Sequence, residues 1–305
     1  IHHGRPAEVM RCHSVVGLIA AALTSGPAAA EVARHVGTYV WTSDDPKFGG
    51  WSGFDLLEDG VTFRAVSDIG LTVAGRLERD ADGRVTGVAV DAMEPLQGDE
   101  AEELAIAVRD AEGLALRSDG SFNVSFEGSG RTARVAGYGA TTSAAVILTE
   151  GLDLSALGEN RGIEALALAQ DGTLVAISEG APGLFRGYRL YAGQGTDWSQ
   201  AAEIPQDRTW SVTGADFGPD GDLYVLERDF WPLLGFRNRV LRMRMTPEGM
   251  TDSAVLFETT VGVHDNLEGL AVWAAADGSL RMTMISDDNF RRRQRTEIVD
   301  YRIDP

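Results

Sequence analysis

The chain has 305 residues, 44% of them hydrophobic, which is enough for a sizeable core in one large all-β domain or two smaller ones. Its 46 acidic residues against 27 basic ones give a net charge of -19, and no basic face of useful size is segregated, so nucleic acid and anionic membrane are excluded as partners. An anionic small substrate is repelled as well, unless a cation or a local Arg cluster intervenes.

Residues 1–9 read as an upstream remnant before Met10. Met10-Arg11, the apolar run from Val15 to Leu23, Ser25-Gly26-Pro27 and Ala28-Ala29-Ala30 predict a signal peptide over 10–30, cut after Ala30. The apolar run is too short to span a bilayer, and the bland alternative is a buried apolar segment. The single Cys, Cys12, lies before the apolar run, so the mature domain, 31–305, has neither disulfide nor thiolate chemistry. A monomeric periplasmic or secreted protein is expected, without membrane association after cleavage.

The first strand signal is Val36–Trp41, which stands alone. A repeating unit follows, clearest at Asn160 to Gly180: an apolar run, an Asp-Gly turn, a second apolar run and an acidic residue at each outer end. Asp-Gly between apolar runs predicts a hairpin, because the turn needs a positive φ that Gly supplies freely. Nearly continuous apolar runs predict burial on both faces. The turns are Asp59-Gly60, Asp119-Gly120, Asp171-Gly172, Asp220-Gly221 and Asp277-Gly278. The first acids (Asp55, Glu112, Glu164, Asp216 and Glu268) are about 50 to 57 residues apart, a period of propeller blades.

Each spacer supplies two further strands: 75–79 and 85–90, then 132–136 and 145–148, then 185–191 and a weak one near 201–204, then 239–245 and 254–260. After the fifth repeat only 297–303 remains, so the fifth unit is one strand short. Val36–Trp41 fills that gap if the ring closes on itself, which removes exposed sheet edges. The predicted fold is an all-β single β-propeller of five four-stranded blades, with the N-terminal strand closing the last; six blades is the alternative count. Segments 93–103, 191–200 and 229–237 read as loop insertions.

Hairpin geometry sets the start of each first strand beside the end of the second. The first acids and a second series (Asp68, Glu127, Glu179, Glu227 and Asp287) are therefore expected on one face of the disc, the first series converging on the axis. Two such charges 5 Å apart at an effective dielectric near 20 repel by about 3 kcal/mol. Cations, protonation or Arg partners must relieve this. With no Cys and only His35 and His264 in the mature chain, oxygen ligands and Ca²⁺ are expected, on Asp55, Glu112, Glu164, Asp216, Glu268 and Asp287. Arg161 and Arg228 are interleaved to hold substrate oxygens, and Glu179 or Glu227 to activate water. The competing reading of the first series is structural: an acid at a strand start accepts backbone N–H groups of the next blade. Arg291-Arg292-Arg293 reads as a solvated loop before a phosphate clamp, and His264-Asp265 as loop residues before a base and its orienting partner. No nucleophile elbow, P-loop or dinucleotide fingerprint is present.

Gly49-Gly50-Trp51-Ser52-Gly53-Phe54-Asp55 with Ala65-Val66-Ser67-Asp68, Asp110 to Leu116, Asn160 to Glu179, Asp220 to Arg228, and Glu268-Gly269-Leu270-Ala271 through Ser286 to Phe290 occur in one order. In these segments the chain resembles the phytase-like family of secreted bacterial proteins with esterase-like activity. The resemblance implies a propeller that hydrolyses phosphate or other esters. Two departures stand out. Ser125-Phe126-Glu127 replaces the Ser-Asp-Glu run usual in the second motif, and the mature chain carries one lysine, Lys47, where dedicated phytases have Lys-rich phosphate pockets. The expected function is a metal-dependent hydrolase acting on a small-molecule phosphate or carboxylic ester. The alternatives are a non-catalytic binding or scaffold propeller with structural Ca²⁺, and a sugar-lactone hydrolase.

Overall fold

The Asp-Gly hairpins become the inner halves of five blades. The structure, a computed structural model, describes residues 33–105, 108–127, 133–141, 144–152, 154, 162–178, 187–207, 209–246 and 249–304. The segment 10–30 read as a signal peptide and two of the expected site residues, Arg161 and Glu179, lie outside the described residues.

Blade 1 is β2 (Trp51–Leu56), β3 (Thr62–Ser67), β4 (Leu71–Arg79) and β5 (Val85–Pro95). Blade 2 is β6 (Ala111–Leu116), β7 (Phe122–Phe126), β8 (Arg134–Tyr138) and β9 (Val146–Ile147). Blade 3 is β10 (Ile163–Leu168), β11 (Leu174–Ser178), β12 (Gly187–Gln194) and β13 (Asp197–Pro205). Blade 4 is β14 (Ser211–Phe217), β15 (Leu223–Trp231), β16 (Gly235–Thr246) and β17 (Gly249–Glu258). Blade 5 is β18 (Asn266–Ala274), β19 (Leu280–Asp287) and β20 (Thr296–Ile303), completed by β1 (Ala33–Trp41) on its outer edge.

This is the five-bladed propeller expected, closed by the N-terminal strand. β1 runs antiparallel to β20 from Ala33 opposite Ile303 to Trp41 opposite Thr296. Trp41 also stacks on Trp51 of blade 1, with centroids 5.7 Å apart, so the closing strand is anchored on both sides of the seam.

The core is divided into five apolar clusters, each between two consecutive blades. β11 is buried along its whole length and β10 nearly so, which accounts for their continuous apolar runs. The Asp-Gly turns share one geometry. In blade 3, Gly172 at φ 86° donates its N–H to the Ala169 carbonyl, and Asp171 Oδ1 accepts from the Thr173 N–H. Two expected loops are instead strands. Segment 191–200 is the turn region of the β12–β13 hairpin, and 229–237 prolongs β15 and β16 into a hairpin turning at Pro232–Leu234. Polar and Gly-rich composition suggested loops there, but the alternation needed for pairing is intact.

Candidate functional site

All five inner strands break register with their neighbours at the same point. The irregularity lies at Ser52 in β2, across Glu112 and Gly113 in β6, at Glu164 in β10, at Thr213 in β14 and at Glu268 in β18. A bulge re-aims the extra side chain, and five in register around one axis aim five side chains at one place. Ser52, Glu112, Glu164, Thr213 and Glu268 all line a cavity of about 260 Å³. The second strands add Asp68, Glu127, Arg228 and Asp287, and Asp110 and Asn289 complete the wall.

The cavity is blind. Immediately beneath it the inner strands crowd together: a Cβ on Gly53 would lie 2.6 Å from the Glu112 carbonyl oxygen, and one on Gly113 would lie 2.5 Å from the Leu166 nitrogen. The space left there is only about 10 Å³, so a ligand has to enter from the mouth.

The expected site residues divide into three groups. Glu112, Glu164, Glu268, Asp287 and Arg228 meet in the cavity. Asp55 and Asp216 do not, and the expected convergence of all first acids is corrected for these two. Each lies three residues past the bulge, where blades 2, 3 and 5 have Ala115, Ala167 and Ala271. Asp55 accepts the N–H groups of Leu56 and of Leu116 in the next blade, both at 2.7 Å, and Asp216 accepts that of Val272 at 2.7 Å. Glu227 is also outside the cavity. It pairs across β14 with Val212, where the other blades have Ser67, Phe126, Ser178 and Ser286. It is buried against Arg239, whose Nε donates to it at 2.6 Å. Blade 4 thus carries Arg228 at the position the other blades give to their second acid.

Sequence reasoning missed Ser52, Thr213, Asp110 and Asn289. The signal for the first two was the glycine that follows them: Ser52-Gly53 and Thr213-Gly214 align with Glu112-Gly113 and Glu268-Gly269. Arg291, Arg292 and Arg293 are exposed and line no part of the cavity. His264 is buried, with Nε2 2.8 Å from the Tyr301 hydroxyl, and is likewise absent from the cavity wall.

Among the described residues, seven carboxylates and one guanidinium share the cavity. Arg228 donates to Glu268 and to Asn266 Oδ1. Burial alone would lower its pKa, but Glu268 and then Glu164, Glu112 and Asp287 hold it above its ordinary value. Burial, then the neighbouring acids, lifts Glu112 well above the usual carboxylate range. Burial followed by Asp110, Glu268 and Asp288 raises Asp68 to about 7, and burial followed by Glu268 raises Asp287 to about 8. Asp68 Oδ1 is buried without a hydrogen-bond partner.

The donor set fits a hard cation. Asp110, Glu112 and Glu127 each offer a carboxylate oxygen within 4.8 Å of the other two, with no Cys or His among them. Asp110 stands at the start of the β6 blade edge, where its carbonyl accepts the Glu127 N–H at 2.8 Å. It brings a carboxylate to the blade whose second motif departs from the Ser-Asp-Glu pattern. The rim is strained: Asn289 and Phe290 have φ of 49° and 51°, held by Asn289 N–H to Asp287 Oδ1 at 2.6 Å and Phe290 N–H to Asp288 Oδ1 at 3.0 Å.

Comparison with known proteins gives a family and a fold. The family model for phytase-like proteins, described as esterase-like activity of phytase, matches residues 46–290. No curated protein matches the sequence significantly. Among solved structures, an α-L-arabinofuranosidase from Podospora anserina is similar at a TM-score of 0.51 and 9% identity, covering 90% of this chain and 98% of its own. A glucose dehydrogenase is similar at a TM-score of 0.49 and 9% identity, covering 87% and 99%. At such identity the likeness is one of fold.

Proposed function

The chain belongs to the phytase-like family, and from that premise we propose that it is a periplasmic or secreted, Ca²⁺-dependent hydrolase of phosphate or carboxylic esters. The observation that carries this reading is the blind acidic cavity on the axis, with oxygen donors of Asp110, Glu112 and Glu127 grouped within 4.8 Å of one another and the Arg228 guanidinium in the same wall.

Asp110, Glu112 and Glu127 would hold the cation, with Glu164, Glu268 and Asp287 close enough to feel its charge. Bound Ca²⁺ would supply Lewis-acid polarisation of the ester and offset the charge of an anionic substrate. Among the described residues Arg228 is the one cationic side chain in the wall, and it is fixed by Glu268 and Asn266 so that its remaining N–H groups can hold a substrate oxygen. Asp68 is suited to take a proton from water. It lines the cavity, and its buried Oδ1 has no hydrogen-bond partner. It takes the role expected of Glu179 or Glu227; Arg239 holds Glu227, and Glu179 lies outside the described residues.

The test is hydrolysis of p-nitrophenyl phosphate and p-nitrophenyl acetate by the full chain, with Ca²⁺ and with chelator. Activity on at least one ester that requires Ca²⁺ and falls at least about a hundredfold in Asp68→Asn supports the reading. Activity indifferent to chelator and to Glu112→Gln refutes the metal, and no turnover of either ester refutes the hydrolase.

A further inference from the structure

Among the described residues the cavity wall contains no apolar side chain, so an apolar part of a substrate finds no partner there. Such a part is better accommodated outside the mouth. On the blade 4 side the wall does not end at Arg228. β15 and β16 continue past it as a hairpin, with Phe230 opposite Phe236 and Trp231 opposite Gly235.

Strand alternation puts Arg228, Phe230 and Phe236 on one face and Asp229, Trp231 and Arg237 on the other. On the second face the polar groups are paired, although Trp231 is itself 45% exposed: Asp229 Oδ2 accepts from Trp231 Nε1 at 2.7 Å and from Arg237 Nη2 at 2.6 Å, and Arg237 lies over Trp210 at 4.8 Å. The first face is apolar, with Phe230 exposed and Phe236 half-buried. Phe230 and Phe236 pack with centroids 5.0 Å apart, the Arg228 guanidinium lies 6.0 Å from the Phe236 ring, and Phe230 is 56% exposed. The hairpin is braced rather than free, since the Gly262 N–H donates to the Phe236 carbonyl at 2.9 Å.

The geometry points to the Phe230–Phe236 face as a subsite for an aryl or acyl group on the ester whose polar head occupies the cavity. This rests on the reading of the cavity proposed above. An amphipathic ester would place its head beside Arg228 and lay its apolar part along the same strand face, burying Phe230 as it binds. Specificity for the non-reacting part of the substrate is then set by two aromatic side chains, because the described residues of the acidic interior include no apolar group to recognise it.

The test is calorimetric titration of the full chain in Ca²⁺ with methylphosphonate and phenylphosphonate, probes that share a head and differ in the aryl group. Phenylphosphonate is expected to bind about tenfold more tightly, a ratio suited to one aromatic contact. Phe230→Ala should bring the two within about twofold without changing the methylphosphonate affinity, and Phe230→Tyr should keep the preference. Leu233→Ser, at the fully exposed tip, should keep it as well. Equal affinity of the parent for both probes overturns the subsite while leaving the cavity reading intact, and so does a preference that survives Phe230→Ala. A preference lost in Leu233→Ser instead overturns it in favour of a tip that meets some other surface. If neither phosphonate binds, the cavity does not take a phosphate-like head and the subsite proposed beside it falls.

Discussion

Blades 1 and 4 and blades 2, 3 and 5 solve the same problem at the axis in opposite ways. In blades 2, 3 and 5 the bulge carries Glu112, Glu164 or Glu268, and the residue three further on is Ala115, Ala167 or Ala271. In blades 1 and 4 the bulge carries a hydroxyl, Ser52 or Thr213, and the carboxylate has moved down to Asp55 or Asp216. The lower carboxylates spend their oxygens on backbone N–H groups of the following blade, whereas the upper ones face a cavity. A carboxylate on an inner strand thus has two possible uses, and three residues of depth separate them. The second strands repeat the lesson in blade 4, where Glu227 is buried against Arg239 and Arg228 takes the place at the cavity.

The sharpest way to break this contrast is to remove one acid of each kind. Asp55→Ala leaves the Leu116 N–H and the Leu56 N–H without their acceptor in a buried interface and should cost about 3 kcal/mol in urea unfolding, with Asp216→Ala close behind. Glu164→Gln should leave the metal-free protein no less stable, because it removes a charge from a crowded ring. Similar losses at Asp55 and Glu164 would erase the distinction between the two depths.

A slightly smaller effect is expected from the cation. If Ca²⁺ binds the native cavity and not the unfolded chain, it should stabilise by about 2.7 kcal/mol at a hundred times its dissociation constant. Glu112→Gln should abolish that gain, and Asp216→Asn should retain it in full. Calorimetric melting of these variants with Ca²⁺ and with chelator is the measurement. Loss of the Ca²⁺ response in Asp216→Asn would move the lower acids into the site.

Much of this was legible in the residues, for reasons that can be named. The Asp-Gly turns announce themselves because the positive φ at Gly172 and its counterparts is easiest for glycine. Counting strands between them left one missing, and β1 supplied it. The two depths of acid were not legible from acid spacing. Asp55 and Asp216 fall in nearly the same period as Glu112, Glu164 and Glu268, and a bulge has no residue signature of its own. The glycine after the bulge is the better ruler, because close approach to the next blade forbids a side chain at Gly53 and Gly113. Asp110 gave no repeat signal, since it lies just before its strand and has a role only through Glu112 and Glu127 beside it.

The smallest and most discriminating effect is in the pH dependence of stability. Burial raises Asp55 to about 7, with its two backbone partners opposing, and the cavity carboxyls Asp68 and Asp287 stand at about 7 and about 8. For all three the folded pKa lies above the unfolded one, so the native state keeps protons that the unfolded chain has released. Their contribution is fully present below about pH 4 and is lost as pH rises through about 7 to 8. His264 runs the other way: burial and His35 lower it to about 4, so its contribution is present above about 6.5 and is lost as pH falls through about 4. The metal-free protein should therefore lose stability between pH 6.5 and 8, where His264 no longer opposes the acids. Ca²⁺ should cancel the part of that slope due to Asp68 and Asp287 and leave the part due to Asp55, which only Asp55→Asn should remove. Urea midpoints across this range for the parent and Asp55→Asn, each with and without Ca²⁺, separate the two depths of carboxylate. A slope that Ca²⁺ abolishes entirely in the parent would mean that Asp55 answers to the cavity after all.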